Sequence, residues 1–206
     1  MIELTSSLAE ATSEVVQRVQ RSLVVLHNGH HGVGAGIIWG NNHNHQRHDS
    51  TLILTNYHVI AHGRRLRAEL EDGTEHPARL LAQAPEFDLA LLEIDKGDLP
   101  AALIADSHIL RVGELVLAIG HPWGQRSAVT AGLVSGLSTA QTRNPHKTIE
   151  IIRSDVSLAP GNSGGPLVNA NGAVVGINTM ILGGDQGIAV PSHVASAFVE
   201  EALKGR

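Results

Sequence analysis

Short apolar runs separated by Gly, Asn and Asp dominate the chain from residue 22 onward. The runs are rich in β-branched and aliphatic residues, which is typical of strands bounded by turns. Strands at this spacing are typical of β-barrels or of a β-sandwich. The pattern predicts two series of strands, at residues 23–26, 36–39, 51–55, 65–70, 78–82 and 89–94, and then at 115–119, 127–138, 148–153, 166–168, 173–179 and 187–190.

Both ends of the chain carry a different, helical pattern. Residues 6–20 place apolar side chains on one face of a helix, and Ser7 and Glu10 have the spacing of a capping box. After Pro191, Ser192 is a suitable cap for a second amphipathic helix that reaches the carboxyl end. The sequence therefore predicts an all-β body with one helix at each end.

The segment 99–111 separates the two series of strands and contains Pro100, so it is predicted to link two halves of one domain. We expect the whole chain, 1–206, to form this single domain. Its parts are the amino-terminal helix (1–21), a first β-unit (22–98), the linker (99–111), a second β-unit (112–190) and the carboxyl-terminal helix (191–206).

Composition narrows the class of protein. With 206 residues, 42% of them hydrophobic, the chain is long enough to bury a sizeable core. A net charge of −5 argues against a nucleic-acid partner, because a surface that binds phosphates needs an excess of basic residues. No apolar run has the length of a membrane span, and no cysteine is present to form a disulfide.

The compartment stays unknown at this point. Residues 1–4 lack the basic and apolar regions of a signal peptide. The prediction is therefore conditional: cytoplasmic if the chain is full-length, and periplasmic or otherwise extracytoplasmic if a leader was removed.

The sequence GNSGGP at residues 161–166 surrounds Ser163 with glycines, which let the backbone turn sharply and approach a reacting atom. A serine hydroxyl becomes a nucleophile only with a nearby base, a group that orients the base, and donors for the oxyanion. His58 and Asp88 supply the required residue types, each within an apolar, strand-like run, and the order His, Asp, Ser is that of a chymotrypsin-type triad. Taken singly, the three residues also fit a turn, a core histidine and a cap.

The chain resembles chymotrypsin-fold serine proteases and, among them, the Deg/HtrA family. The resemblance implies two antiparallel six-stranded β-barrels with the site in the cleft between them, and it covers nearly the whole chain from about residue 24 to residue 192. The segments that carry it are TNYHV at 55–59, FDLAL at 87–91, AIGHPWG at 118–124, TAGLVS at 130–135, GNSGGP at 161–166 and GINT at 176–179.

A serine endopeptidase that acts through an acyl-enzyme, with no metal or cofactor, is the function that the resemblance implies. His58, Asp88 and Ser163 would be catalytic, and the oxyanion hole would comprise Gly161, Asn162 and Ser163. Digestive proteases carry an aspartate just before the nucleophile that pairs with a new amino terminus. The neutral Asn162 excludes that form of activation here.

The predicted specificity is for small or medium aliphatic residues. The position at which trypsin carries a carboxylate corresponds to Ser157, which offers no charge to a buried Lys or Arg. Unfolded polypeptides are the expected substrates, as in protein quality control. The resemblance assigns the pocket walls to Leu158, Asn178, Thr179, Met180 and Ile181.

Several alternatives remain at the level of sequence. A latent peptide-binding or chaperone module would keep the same fold, and an α/β-hydrolase esterase would need a helix after the GxSxG match at 161–165, where a β-run follows instead. His43, His45 and His48 offer imidazoles to a metal, although a solvated loop explains them as well.

The family usually carries PDZ domains, for which no room follows residue 206, and its trimers are often held by aromatic residues near the amino terminus. The first 22 residues contain no aromatic residue. A homo-oligomer stays open, whereas a trimer is not expected.

Overall fold

The computed structural model describes residues 2–29, 33–40, 49–61, 65–121, 128–141, 148–182 and 186–204. Helix α1 (Ile2–Gln20) precedes the first series of strands, which contains one short helix, α2 (Tyr57–Ile60). The strands of this series are β1 (Leu23–Asn28), β2 (Val33–Ile38), β3 (Thr51–Thr55), β4 (Leu66–Glu69), β5 (Glu75–Ala84) and β6 (Leu89–Ile94).

A 3-10 turn, Ser107–Ile109, lies between the two series, and helix α3 (Ser192–Lys204) follows the second. The strands of the second series are β7 (Leu115–Gly120), β8 (Ala128–Gln141), β9 (Thr148–Ser154), β10 (Pro166–Asn169), β11 (Val174–Leu182) and β12 (Gln186–Pro191). Among the described helices, none is both long and apolar enough to cross a membrane.

Each series closes into an antiparallel barrel. The order around the first barrel is β1-β2-β3-β6-β5-β4, and around the second it is β10-β11-β12-β9-β8-β7. The predicted all-β fold of two six-stranded barrels with a helix at each end is therefore confirmed.

The sequence of strand β6, LALLEI, is almost continuously apolar because both faces of the strand are buried. Successive side chains of a strand point to opposite faces. Leu89 and Leu91 accordingly enter a core shared by both barrels, whereas Ala90, Leu92 and Ile94 enter the core of the first barrel alone. Both faces of the strand are buried, and all six residues are buried as a result.

Strand β7 makes the same division in the second barrel. Leu117 and Ile119 join the shared core, and Val116 and Ala118 join the core of the second barrel. The shared core also receives Val19 of α1 and Val199 of α3. The two barrels thus meet over a common apolar interface, which fixes their placement relative to each other.

Two local expectations are corrected. The strand-like run around His58 does not continue as a strand, because β3 ends at Thr55 and His58 lies on α2. The run around Asp88 is also interrupted. Asp88 precedes β6 and has a φ of 54°, a left-handed conformation that few non-glycine residues adopt.

Candidate active site

The start of helix α2 is tied to the backbone of Asp88. The side-chain amide of Asn56 donates to the Asp88 carbonyl at 2.9 Å, and the backbone N–H of Tyr57 donates to the same oxygen at 3.1 Å. The turn before β6 is therefore held against the end of β3. This attachment brings the side chains of His58 and Asp88 to the same place.

His58 and Asp88 form a two-point contact. Nδ1 of His58 lies 2.7 Å from Oδ2 of Asp88, and the backbone N–H of His58 donates to Oδ1 at 3.0 Å. An ionised carboxylate can only accept, so Nδ1 carries the proton and Nε2 of the neutral ring is an acceptor. The imidazole is half exposed, so Nε2 is available to an incoming proton donor.

Thr179 adds a further donor to the same carboxylate. Its hydroxyl donates to Oδ2 of Asp88, although 91 positions separate the two residues in the chain. Thr179 is 6% exposed, so its side chain serves Asp88 and offers almost no surface to a substrate. The resemblance had assigned Thr179 to the pocket wall, and the structure gives its side chain this other contact.

Ser163 is not bonded to the base in this conformation. Its hydroxyl donates to the backbone carbonyl of Thr179 at 3.0 Å. Within the described part of the chain, no hydrogen bond joins Ser163 to His58. In proteases without substrate, the bond between nucleophile and base is often long or absent and tightens only when substrate binds.

Three backbone hydrogen bonds, to Ala35 and Asn178, hold the backbone around Ser163. Its carbonyl accepts from the N–H of Ala35 in the first barrel at 2.9 Å. The N–H of Gly164 donates to the carbonyl of Asn178, and the N–H of Asn178 donates to the carbonyl of Gly165, both at 2.9 Å. The glycines are required here, because a Cβ on Gly164, whose φ is +83°, would lie 2.1 Å from the carbonyl oxygen of Ala35.

Two of the three predicted oxyanion residues have backbone amides that donate to no other group in the described part of the chain. The N–H of Asn162 donates to the Ala159 carbonyl at 2.9 Å and is therefore occupied. The N–H groups of Gly161 and Ser163 have no acceptor among the described residues. Gly161 has a φ of 103°, a conformation that glycine adopts without strain.

The side chain of Asn162 is buried, at 4% exposure, against Gly120 of β7. A Cβ on Gly120 would lie 2.5 Å from Oδ1 of Asn162. The loop that carries the amides of Gly161 and Ser163 is thus packed tightly on the second barrel, and Oδ1 of Asn162 has no hydrogen-bond partner among the described residues.

The structure gives different outcomes for the other predicted specificity residues. Asn178 is 1% exposed and its side chain donates to the carbonyl of Pro166 at 2.8 Å, so it supports the serine loop rather than a pocket wall. Leu158 is half-buried, and its Cδ1 would lie 3.3 Å from a Cβ on Gly187. Met180 and Ile181 belong to β11, but their side chains lie outside the part that the structure describes.

The histidine cluster His43, His45 and His48 lies outside the described residues. Another group with ligand atoms within 4.8 Å of one another comprises His27, Glu69 and Glu75. These residues belong to β1, β4 and β5, which carry none of the three predicted catalytic residues, and Glu75 is already paired with Arg67 at 2.8 Å.

Sequence reasoning missed Ala35, Thr55 and the contact of Thr179 with Asp88. Ala35 acts through its backbone, which leaves no sequence signal. Thr55 is the last residue of β3, three positions before His58, and its hydroxyl donates to the Ala35 carbonyl at 2.7 Å. Its position in the TNYHV segment was the one available signal.

The fold is that of a trypsin-like serine peptidase domain. Residues 34–177 match the family model described as the trypsin-like peptidase domain, and the chain belongs to this family. Among solved structures, "HtrA-type protease AlgW with tripeptide" superposes with a TM-score of 0.80 at 32% identity, over 94% of this chain and 64% of that one.

Curated relatives point to the same branch of the family. The chain is 43% identical over 159 residues to "Probable periplasmic serine endoprotease DegP-like" from Marinomonas sp., which covers 75% of this chain and 33% of the relative. It is 37% identical over 179 residues to "Probable periplasmic serine protease do/HhoA-like" from Haemophilus influenzae, covering 84% and 37%. The chain thus spans about a third of the length of the curated relatives it matches.

Proposed function

We propose that this chain is a serine endopeptidase in which Ser163, His58 and Asp88 are the catalytic residues. The observation that carries the proposal is the pair of contacts between His58 and Asp88, at 2.7 and 3.0 Å, which Thr179 connects to Ser163 of the glycine-rich serine loop. This pair leaves Nε2 of His58 as the only proton acceptor of the imidazole.

The reaction begins when Oγ of Ser163 attacks the carbonyl carbon of the peptide bond and its proton passes to Nε2 of His58. Asp88 stabilises the resulting imidazolium. The negative oxygen of the tetrahedral intermediate accepts hydrogen bonds from the N–H groups of Gly161 and Ser163. His58 then returns the proton to the leaving amine, and water hydrolyses the acyl-enzyme by the reverse sequence of proton transfers.

Aliphatic specificity is the finer part of the proposal. Leu158 packs with Val156 close to Gly187, which makes this region apolar, and Ser157 supplies no carboxylate. A buried ammonium or guanidinium would remain unpaired at such a site, so cleavage after Lys or Arg is disfavoured. Cleavage after Val, Ala, Ile or Leu is expected, mostly in unfolded chains, because those side chains are buried in folded proteins.

The expected preference for unfolded chains also supports a role in the quality control of unfolded proteins, which we place outside the cytoplasm. The names of the curated relatives include the word periplasmic, which supports the extracytoplasmic branch of the prediction. The substrates are polypeptides rather than nucleic acids. For the oligomeric state, we propose only that the protein does not form a trimer.

A second candidate is a latent, peptide-binding form of the same domain. The observation that favours it is the hydrogen bond from Ser163 to the Thr179 carbonyl, which occupies the hydroxyl. In this state the domain binds an extended chain without cleaving it until the Ser163 side chain turns toward His58.

Digestion of unfolded casein tests both candidates. The wild-type protein should cleave casein and react with a fluorophosphonate, and Ser163→Ala should do neither while keeping the same thermal unfolding midpoint. Casein binding without cleavage or labelling by the wild type would favour the latent module. Undiminished cleavage by Ser163→Ala would refute the assignment of the nucleophile.

A further inference from the structure

The nucleophile belongs to the second barrel, but its backbone is held by the first. The N–H of Ala35, on β2, donates to the carbonyl of Ser163 at 2.9 Å. Ala35 has no exposed surface, so this bond is shielded from water. The position of Ser163 relative to the first barrel therefore depends on where the Ala35 peptide lies.

The hydroxyl of Thr55 fixes Ala35 through its other backbone group. It donates to the Ala35 carbonyl at 2.7 Å, and Thr55 is fully buried. A Cβ placed on Gly164 would lie 2.1 Å from that carbonyl oxygen and 2.3 Å from Oγ1 of Thr55. The three residues are thus packed without spare room around the serine loop.

Thr55 is also the last residue of the strand that leads to the base. The next residue, Asn56, binds the carbonyl of Asp88, and His58 follows on α2. The end of β3 is thus connected to both parts of the site. The side chain of Asn56, the residue that follows it, holds Asp88, and the buried hydroxyl of Thr55 holds Ala35, whose N–H binds Ser163.

We propose that Thr55 is a positioning residue that couples the nucleophile loop of the second barrel to the His58 and Asp88 pair of the first. The inference rests on the proposed peptidase function and adds a residue that touches neither the substrate nor the reacting atoms. A change of about 1 Å in the placement of a reacting group costs about 100-fold in rate. Loss of the hydroxyl should therefore lower kcat by about 10- to 100-fold while KM changes by less than about 3-fold.

Thr55→Val tests the coupling because valine keeps the shape of threonine and removes the donor. Thr55→Ser keeps the donor and should restore kcat to within about 3-fold of the wild type. Thr55→Ala removes the donor without adding a methyl group, and it replaces the valine variant if that variant does not fold.

Strand β3 offers a matched control at its other end. The hydroxyl of Thr51 also donates to a backbone carbonyl, that of Lys96, and Thr51 is 7% exposed. It lies about 13 Å along the strand from Thr55. Thr51→Val should lower the unfolding midpoint as Thr55→Val does, but leave kcat unchanged.

The measurements are kcat and KM on a fluorogenic peptide, the rate of fluorophosphonate labelling, and the thermal unfolding midpoint of each variant. The expected result is slow turnover and slow labelling in Thr55→Val alone, with rescue in Thr55→Ser. Wild-type kcat in Thr55→Val, or an equal loss of kcat in Thr51→Val, would overturn the coupling. If the wild type itself neither cleaves nor reacts, the proposed function fails and the role of Thr55 fails with it.

Discussion

The hydroxyl of Ser163 donates a hydrogen bond of 3.0 Å to the backbone carbonyl of Thr179. The side chain of the same threonine donates to Asp88, which in turn contacts His58. Thr179 therefore contacts two of the three proposed catalytic residues, one through its backbone and one through its side chain. In the proposed mechanism, acylation requires Ser163 to leave the carbonyl of Thr179 and turn toward Nε2 of His58.

Removal of the Thr179 hydroxyl should slow catalysis without changing the resting contact of Ser163. A hydrogen bond to a charged group contributes about 1.5–3 kcal/mol, so Thr179→Val should lower kcat by about 10- to 100-fold. Thr179→Ser keeps the donor and is the matched control. Steady-state kinetics on a fluorogenic peptide provide the measurement, and equal kcat values for the two variants would contradict the assigned contact.

Activity should depend on pH in the direction that a histidine base requires. A protonated imidazole cannot take the serine proton, so we expect slow hydrolysis at about pH 5 and an increase toward about pH 8. The rate of casein hydrolysis should be measured together with the circular dichroism spectrum at each pH. A flat rate across this range, in a protein that stays folded, would exclude a histidine base.

Alanine substitutions at Gly164 and Gly113 distinguish the free-energy cost of a left-handed backbone from the cost of a steric clash. Both have positive φ, +83° and +91°, but only Gly164 has atoms within reach of a Cβ. Gly113→Ala should lower the free energy of unfolding by about 1–2 kcal/mol. Gly164→Ala should cost about 1–3 kcal/mol more, because the clash involves backbone. Urea unfolding curves compare the two, and equal losses would contradict the tight packing of the serine loop.

Leu158 should set the size of the accepted side chain. Leu158→Ala enlarges the apolar region beside Gly187, and we expect cleavage to shift from Val and Ala toward Leu and Phe by about 10-fold in relative kcat/KM. Mass spectrometry of casein fragments gives the cleavage positions for both proteins. An unchanged pattern would show that Leu158 does not line the pocket, and cuts mainly after Lys or Arg would refute the aliphatic preference itself.

Asp106 should stabilise the segment between the barrels in a pH-dependent way. The backbone N–H of His108 and then its imidazole hold the pKa of the Asp106 carboxyl below its ordinary value of 3.8. A carboxyl with a lowered folded pKa stabilises the native state above its unfolded pKa, and this contribution disappears as the pH falls through the folded pKa.

Asp106→Asn should therefore be less stable than the wild type at about pH 7, and the difference should shrink as the pH falls below about 5. Thermal unfolding midpoints across this range provide the measurement. The exposed Asp95→Asn variant controls for the change in net charge. A difference that grows in acid would contradict the sign of the effect.

Local patterns were enough to predict the candidate triad and the secondary structure apart from α2, which was expected to be strand-like. Short apolar runs bounded by turn residues predicted β6 and β7, and these runs are almost continuously apolar because each side chain of the strand faces one core or the other. The capping pair Ser7 and Glu10 indicated a helix, although α1 begins at Ile2, before the predicted start. Ser163 was recognisable because glycines mark a turn whose conformation other residues cannot adopt.

The tertiary structure decided which groups meet. Ser163 and Thr179 are 16 positions apart, and Thr179 and Asp88 are 91 apart, so no local pattern records either contact. The role of Ala35 depends on a backbone N–H, which every residue except proline has. Sequence by itself determined which residue types are present and which short elements they form. Only the packing of two barrels over a shared core determined which hydroxyl, carboxylate and amide lie within hydrogen-bonding distance, because such bonds require partners within about 3 Å that the chain brings together from distant positions.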